Sequence, residues 1–193
     1  AVCILDECDL RYGYSSTSNY GMVWMSSASP TISNCDFDGA GHGLALFGSS
    51  QPVITDCTFD NMNSTPIRMS LIAQPTFSGN HFLPGNRYHA LGIHGETLAQ
   101  DVTIPARDMA QTARIPYVLL GDVTAGYSSI LTIEPGVIIK GAGADIRVQR
   151  GLIAEGTADP EGLIVFTSVT DDFYGGDTNN DGDATGYDQT RWG

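Results

Sequence analysis

The chain has 193 residues, with 22 acidic groups against nine Lys and Arg, and a formal net charge of −13. Nucleic acid and anionic membrane are both gripped mainly through Lys and Arg, so this balance excludes them as partners and favours cations, calcium above all. No run of 18 or more apolar residues occurs, so no helical membrane span is expected.

Twenty-three glycines and nine prolines, among many Ser, Thr, Asn and Asp, fit numerous short strands joined by turns. A six-residue phrase then recurs along the first half. It reads Leu5-Asp6-Glu7-Cys8-Asp9-Leu10, Ile32-Ser33-Asn34-Cys35-Asp36-Phe37, Ile54-Thr55-Asp56-Cys57-Thr58-Phe59 and Phe77-Ser78-Gly79-Asn80-His81-Phe82. A period of some 22 to 27 residues with alternation inside each unit marks a coil that climbs one turn per repeat. Stacked strands lie about 4.8 Å apart, so equivalent side chains form ladders. Ile32, Ile54 and Phe77 make one expected inner ladder, and Leu10, Phe37, Phe59 and Phe82 another. Asn34 and Asp56 belong at tight corners, where a short polar side chain bonds the backbone.

Between the phrases runs a second strand, set by its distance from Pro30, Pro52 and Pro75. Alternation places Met22, Leu44, Ile67 and Leu91 in one inner column and Trp24, Leu46, Met69 and Ile93 in the next. Val23, Ala45, Arg68 and Gly92 are expected to face solvent. The pattern is that of an all-β solenoid, a parallel β-helix. Over most of its length the chain resembles the right-handed parallel β-helix repeat proteins of bacterial cell surfaces. The resemblance implies a right-handed coil and a secreted or cell-surface location, which the acidity, the single lysine (Lys140) and the richness in Asn, Thr and Ser also suggest.

Residues 1–95 read as coils with Cys and Phe ladders, and 96–116 as an irregular excursion. Residues 117–170 read as further coils, and 171–193 as an acidic insertion followed by the start of another coil. Leu131-Thr132-Ile133-Glu134-Pro135-Gly136-Val137 and Gly151-Leu152-Ile153-Ala154-Glu155-Gly156-Thr157 look like coil phrases of large secreted bacterial β-helix proteins. Neither end carries an amphipathic capping helix, which suggests tandem neighbours or end-to-end stacking of copies.

The sharpest chemical signal is Asp177-Thr178-Asn179-Asn180-Asp181-Gly182-Asp183-Ala184-Thr185-Gly186-Tyr187-Asp188. Counting from Asp177, oxygen side chains fall at positions 1, 3, 5, 7, 9 and 12 and glycine at 6, which is the ligand spacing of a calcium loop. The expected Ca²⁺ ligands are Asp177, Asn179, Asp181, Asp183, Thr185 and Asp188, with Asp171 and Asp172 as supplements. The stretch resembles EF-hand-like and dockerin-type loops. It departs from the EF hand in having Asp at position 12 and no flanking helices, so the expected role is structural rather than sensing.

Cys8, Cys35 and Cys57 share a column, with Cys3 in the column of the prolines. A disulfide between neighbours is geometrically open, since adjacent rungs fall within bridging range; a stack of small buried side chains is the plainer reading. No Cys-x-x-Cys spacing points to metal. Gly41-His42-Gly43 invites comparison with polygalacturonases, but no Asn-Thr-Asp precedes it and no Arg-Ile-Lys follows, so it reads as a turn entering a strand. His81, His89 and His94 lack metal spacing and are expected at the surface. Lyase chemistry would need a basic residue beside calcium, and Arg147 and Arg150 are the nearest in sequence. Asn63-Ser64-Thr65 is a formal glycosylation sequon, read as chance.

No catalytic residues are expected. The favoured function is a non-catalytic, calcium-braced rod of a secreted adhesin, sheath or fibre. The alternative is a polysaccharide-acting enzyme or carbohydrate-binding module, with glycan as ligand.

Overall fold

The computed structural model describes residues 3–14, 20–109, 111–182 and 184–185. It is a parallel β-solenoid of seven turns, each contributing three short strands, with no helix among the described residues. The first turn holds β1 (Ile4–Asp6), β2 (Asp9–Arg11) and β3 (Val23–Ser26). The second holds β4 (Thr31–Ser33), β5 (Asp36–Ala40) and β6 (Leu44–Phe47), and the third β7 (Val53–Thr55), β8 (Thr58–Met62) and β9 (Ile67–Met69). The fourth has β10 (Thr76–Ser78), β11 (His81–Phe82) and β12 (Leu91–Ile93). The fifth has β13 (Glu96–Leu98), β14 (Val102–Ile104) and β15 (Tyr117–Leu119). The last two comprise β16 (Val123–Ala125), β17 (Ile130–Ile133), β18 (Ile138–Gly141), β19 (Ile146–Val148), β20 (Gly151–Ala154) and β21 (Val165–Ser168).

Stacking the turns builds five sheets. Sheet A is β1-β4-β7-β10, sheet B is β2-β5-β8-β11, and sheet C, seven strands long, runs from β3 to β21. Sheets D (β13-β16-β19) and E (β14-β17-β20) replace A and B in the second half.

The repeated phrase is the A-to-B corner. Two residues turn the chain, and the first adopts a left-handed conformation in every copy: Glu7 (φ 51), Asn34 (φ 51), Asp56 (φ 53) and Gly79 (φ 64). Asn and Asp tolerate this region better than most residues, and Gly enters it freely. At Gly79 there is a second requirement, because a Cβ would lie 1.9 Å from Asp56 Oδ1. The next residue then ties each turn to the one before. Cys35 Sγ donates to Leu5 O at 3.6 Å, Cys57 Sγ to Ile32 O at 3.7 Å, and Asn80 Nδ2 to Ile54 O at 2.8 Å. All four cysteines are free thiols, and burial pushes Cys57 up to about 11, so the column is a stack of small protonated donors.

Inside, Leu5, Ile32, Ile54 and Phe77 stack in register, as do Leu10, Phe37, Phe59 and Phe82. The Phe37 and Phe59 rings lie parallel at 4.8 Å, and Phe82 meets Phe59 edge-on at 5.6 Å. Both geometries suit the ring quadrupole.

The structure corrects three expectations. In the first turn Val23 pairs with Leu44 and Met25 with Leu46, so Trp24 lies opposite Ala45 and points outward, 52% exposed. The connection from β3 to β4 is four residues and that from β6 to β7 is five. Counting back from the prolines therefore misplaces β3 by one, and a one-residue slip exchanges inside for outside.

The second correction concerns residues 96–116, which hold β13 and β14; the irregular excursion is confined to 105–116. The change of sheets originates just before it. Six residues separate β9 from β10, but only His94 and Gly95 separate β12 from β13. The shortened corner brings the next strand in beneath residues 70 and 71, where the Glu96 carboxylate accepts Ser70 Oγ at 2.7 Å and Leu71 N at 2.6 Å. The excursion packs against the end of sheet A. Arg107 donates to Pro75 O (2.8 Å), Gln74 Oε1 (3.0 Å) and Tyr117 Oη (3.1 Å), and lies over the Phe77 ring.

Third, the outward column of sheet C is solvated at Trp24 but closed from Ala45 to Lys140. Ala45, Arg68, Gly92, Val118 and Lys140 are all buried. Tyr88, Ala90, Val118 and Val169 form a small second core outside the coil.

The register makes a direct prediction. Met25→Ala should cost about 2–5 kcal/mol, as a buried truncation does. Trp24→Ala should cost under about 1 kcal/mol, because half the ring is already in water. Urea midpoints of the two variants measure this, and a larger loss at Trp24 would reinstate the other register.

Candidate functional site

Beyond β21, residues 169–182 fold back as a strap over the outer face of sheet C. Its near end is fixed by Lys140, whose Nζ donates to Asp171 O at 2.6 Å and Gly176 O at 3.0 Å. Lys140 stands in the outward column, with Val118 beside it on one strand and Thr167 on the other. It is fully buried. Burial pushes its ammonium down to about 8, while Asp171, Asp172 and Asp177 pull the other way.

Further along, the strap reaches the loop between β11 and β12. His89 N donates to Thr178 O at 2.8 Å, and Asn180 Nδ2 donates to Pro84 O. Thr178 is fully buried at this contact.

Between these anchors the oxygens converge. Carboxylate oxygens of Asp172, Asp177 and Asp181 all lie within 4.8 Å of one another. Asp177 is held by two backbone donors, Asp181 N at 3.1 Å and Gly182 N at 2.8 Å, in a turn that Gly182 makes at φ 63. Asn179 Nδ2 donates to Asp181 Oδ2 at 2.6 Å and to Thr185 Oγ1 at 3.0 Å, and the Thr185 hydroxyl donates to Asp181 Oδ2. Asn179 Oδ1 and Asp181 Oδ1 are closed off from water and accept no hydrogen bond among the described residues.

Of the expected ligands, Asp177, Asn179, Asp181 and Thr185 are thus brought together, while Asp183 and Asp188 lie outside the described residues. Asp172 joins the cluster; Asp171 does not, its carboxylate accepting Thr167 Oγ1 at 2.5 Å and Phe173 N at 3.0 Å. Asp172 and Asp177, five residues apart in sequence, are brought together where Gly175 and Gly176, both left-handed (φ 73 and 72), turn the chain between them.

The basic residues nearest in sequence are elsewhere. Arg147 pairs with Asp122 at 2.8 Å and Arg150 donates to Ser128 O at 3.1 Å. The cation actually under the strap is Lys140, which sequence spacing did not single out; a lone lysine in an apolar strand of an acidic chain was the available signal. His42 was likewise underread. It enters β6 through a bend, as expected of a turn, yet its ring is fully buried with Nδ1 2.8 Å from Thr65 O. His81 is exposed, and His89 and His94 are half-buried.

A family model of the right-handed β-helix region matches residues 1–104, from the first described turns to the end of β14. The chain belongs to the right-handed β-helix family. No curated protein and no solved structure gives a match. This β-helix family includes enzymes and non-enzymes alike, so function is argued from the site and not from the fold.

The buried lysine gives a signed pH dependence. Its folded pKa of about 8 lies below the ordinary 10.5. Between those values the unfolded chain binds more protons, so stability rises with pH; the cost of burying the charge is complete below the window and gone above it. In chelator-treated protein, wild type should gain on Lys140→Met across that window, by at most about 1.4 kcal/mol per pH unit. Urea midpoints against pH measure it, and parallel profiles would contradict it.

Proposed function

We propose that this β-helix is a non-catalytic structural module of a secreted or cell-surface protein, a rigid rod whose strap is braced by a Ca²⁺ ion. The observation that carries the reading is the oxygen cluster of Asp172, Asp177, Asn179 and Asp181. Three carboxylates within 4.8 Å of one another repel, and two oxygens of the cluster, Asn179 Oδ1 and Asp181 Oδ1, are shut off from water with no donor among the described residues. A hard cation that takes six to eight oxygens at 2.3–2.6 Å resolves both problems. Asp183, Thr185 and Asp188 supply the remaining oxygens in this reading, the Thr185 hydroxyl turning from Asp181 to the ion.

The position of the strap explains why a brace is useful. Among the described residues sheet C is the one sheet that passes from the fourth turn to the fifth. The strap leaves the seventh turn, grips Lys140 in the sixth and docks on Pro84 and His89 in the fourth, so it spans that seam. Around Val118 and Lys140 the outer face of sheet C lies under the 83–90 loop and the strap, which favours a scaffold over a catalytic cleft there. Inner-column residues of the seventh turn (Val148, Leu152 and Phe166) are more than two-fifths exposed. Further coils, from a tandem neighbour or another copy, would continue that rung.

A second reading, glycan binding, draws on a row of outward rings. Trp24 and Phe47 lie 5.9 Å apart, and Phe47 and His94 4.7 Å apart. Quenching of Trp24 fluorescence by oligosaccharides, lost in Trp24→Ala but kept in Phe173→Ala, would favour it.

The calcium brace is tested by melting. At a hundredfold excess over Kd, calcium should stabilise by about 2.7 kcal/mol, roughly 5–10 °C in Tm for a chain of this size. Asp177→Ala should abolish the difference. Equal melting temperatures with calcium and with chelator would remove the ion from the account.

A further inference from the structure

Strap residues 177–181 make contacts on two sides. Asp177, Asn179 and Asp181 turn their side chains into the oxygen cluster. Between them, Thr178 through its backbone carbonyl and Asn180 through its side chain engage the loop at 83–90, while the Thr178 hydroxyl donates within the strap to Gly176 O at 3.2 Å. Thr178 is fully buried and its carbonyl accepts the His89 amide; the Asn180 side chain donates to the Pro84 carbonyl. The two sets sit in one tight turn, closed by Asp181 N and Gly182 N on the Asp177 carboxylate and by left-handed Asn180 (φ 55), so ordering one set constrains the other.

The dock is already rigid. Asn86, fully buried, accepts Met62 N at 3.1 Å and donates to Phe59 O and Leu83 O at 2.8 Å each; Arg87 N donates to Met62 O at 2.8 Å. The near foot of the strap is likewise fixed by Lys140 through backbone carbonyls, without any of the cluster oxygens. Between a fixed foot and a fixed dock lies the stretch where three like charges meet. Lys140 offsets part of this charge, being coupled to Asp172 and Asp177, but one ammonium against three carboxylates leaves a net repulsion that opposes the conformation presenting Thr178 and Asn180 to the dock.

We propose that cation binding at Asp172, Asp177 and Asp181 and docking of Thr178 and Asn180 on the 83–90 loop are one coupled event, making the strap a calcium-operated latch over the outer face of sheet C. This rests on the calcium reading above and adds that the ion controls a contact between distant turns. Linkage is reciprocal: whatever factor calcium contributes to docking, docking contributes to calcium affinity.

The test pairs amide hydrogen exchange with calcium titration on the full chain. Calcium should slow exchange of the His89 amide about tenfold or more relative to chelator, while the Leu91 amide, bonded to Pro116 O within sheet C, should not change. Asn180→Gly removes the docking amide but suits the left-handed backbone there (φ 55), so it preserves the loop conformation. It should weaken calcium binding about fivefold or more. Asp181→Asn should lose both calcium binding and calcium-dependent protection of His89. If wild type binds calcium but His89 exchange is indifferent to it and Asn180→Gly binds as wild type does, the latch is overturned and the local brace stands. If wild type binds no calcium, brace and latch fall together.

Discussion

Everything in this molecule depends on the vertical registration of like side chains at the spacing of stacked strands. A single turn cannot bury three short strands by itself; seven turns in register create one continuous interior. Registration in turn depends on corners of fixed length. Where the A-to-B corner is held at two residues, with Glu7, Asn34, Asp56 and Gly79 all left-handed, the rungs above and below align without exception. Where a corner changes length, the architecture changes with it, first by one residue after β3 and then by four before β13.

That dependence also explains what could be read from the sequence. The six-residue phrase carries its own corner, so its inner ladders were legible to the residue. The strand that follows is tied to the phrase only through connections of variable length, and proline spacing was a poor ruler for it. Trp24 was misassigned for that reason, although its bulk against Ala45 and Gly92 in the same column hints at an outward position. Strands β13 and β14 were missed because a polar opening at Glu96 reads as loop, whereas the structure uses that carboxylate to satisfy donors of the turn above.

The oxygen-bearing loop was legible as chemistry and illegible as location. Alternate spacing from Asp177 identified which side chains share a side, and it could equally have described a loop projecting into solvent. What placed it on the solenoid was Lys140, whose neighbours in the outward column are far away in sequence, and Thr178, an ordinary residue between two candidate ligands. Long-range docking of this kind leaves no periodic trace. The expectation of a solvated outer face failed at Val118 for the same cause, since the loop residues Tyr88, Ala90 and Val169 that pack on it belong to no repeat.

The discontinuity between the fourth and fifth turns has a mechanical corollary. A rod pulled along its axis carries tension through hydrogen-bond ladders in series, and a series assembly yields at its thinnest member. In most of this solenoid three walls share that tension; at the discontinuity one wall, three residue pairs wide from Leu91–Tyr117 to Ile93–Leu119, carries it with a few side-chain bonds from Glu96 and Arg107. Tensile failure should therefore begin there and part the rod into two pieces of unequal length, with the returning segment acting as a tendon in parallel with the lone wall.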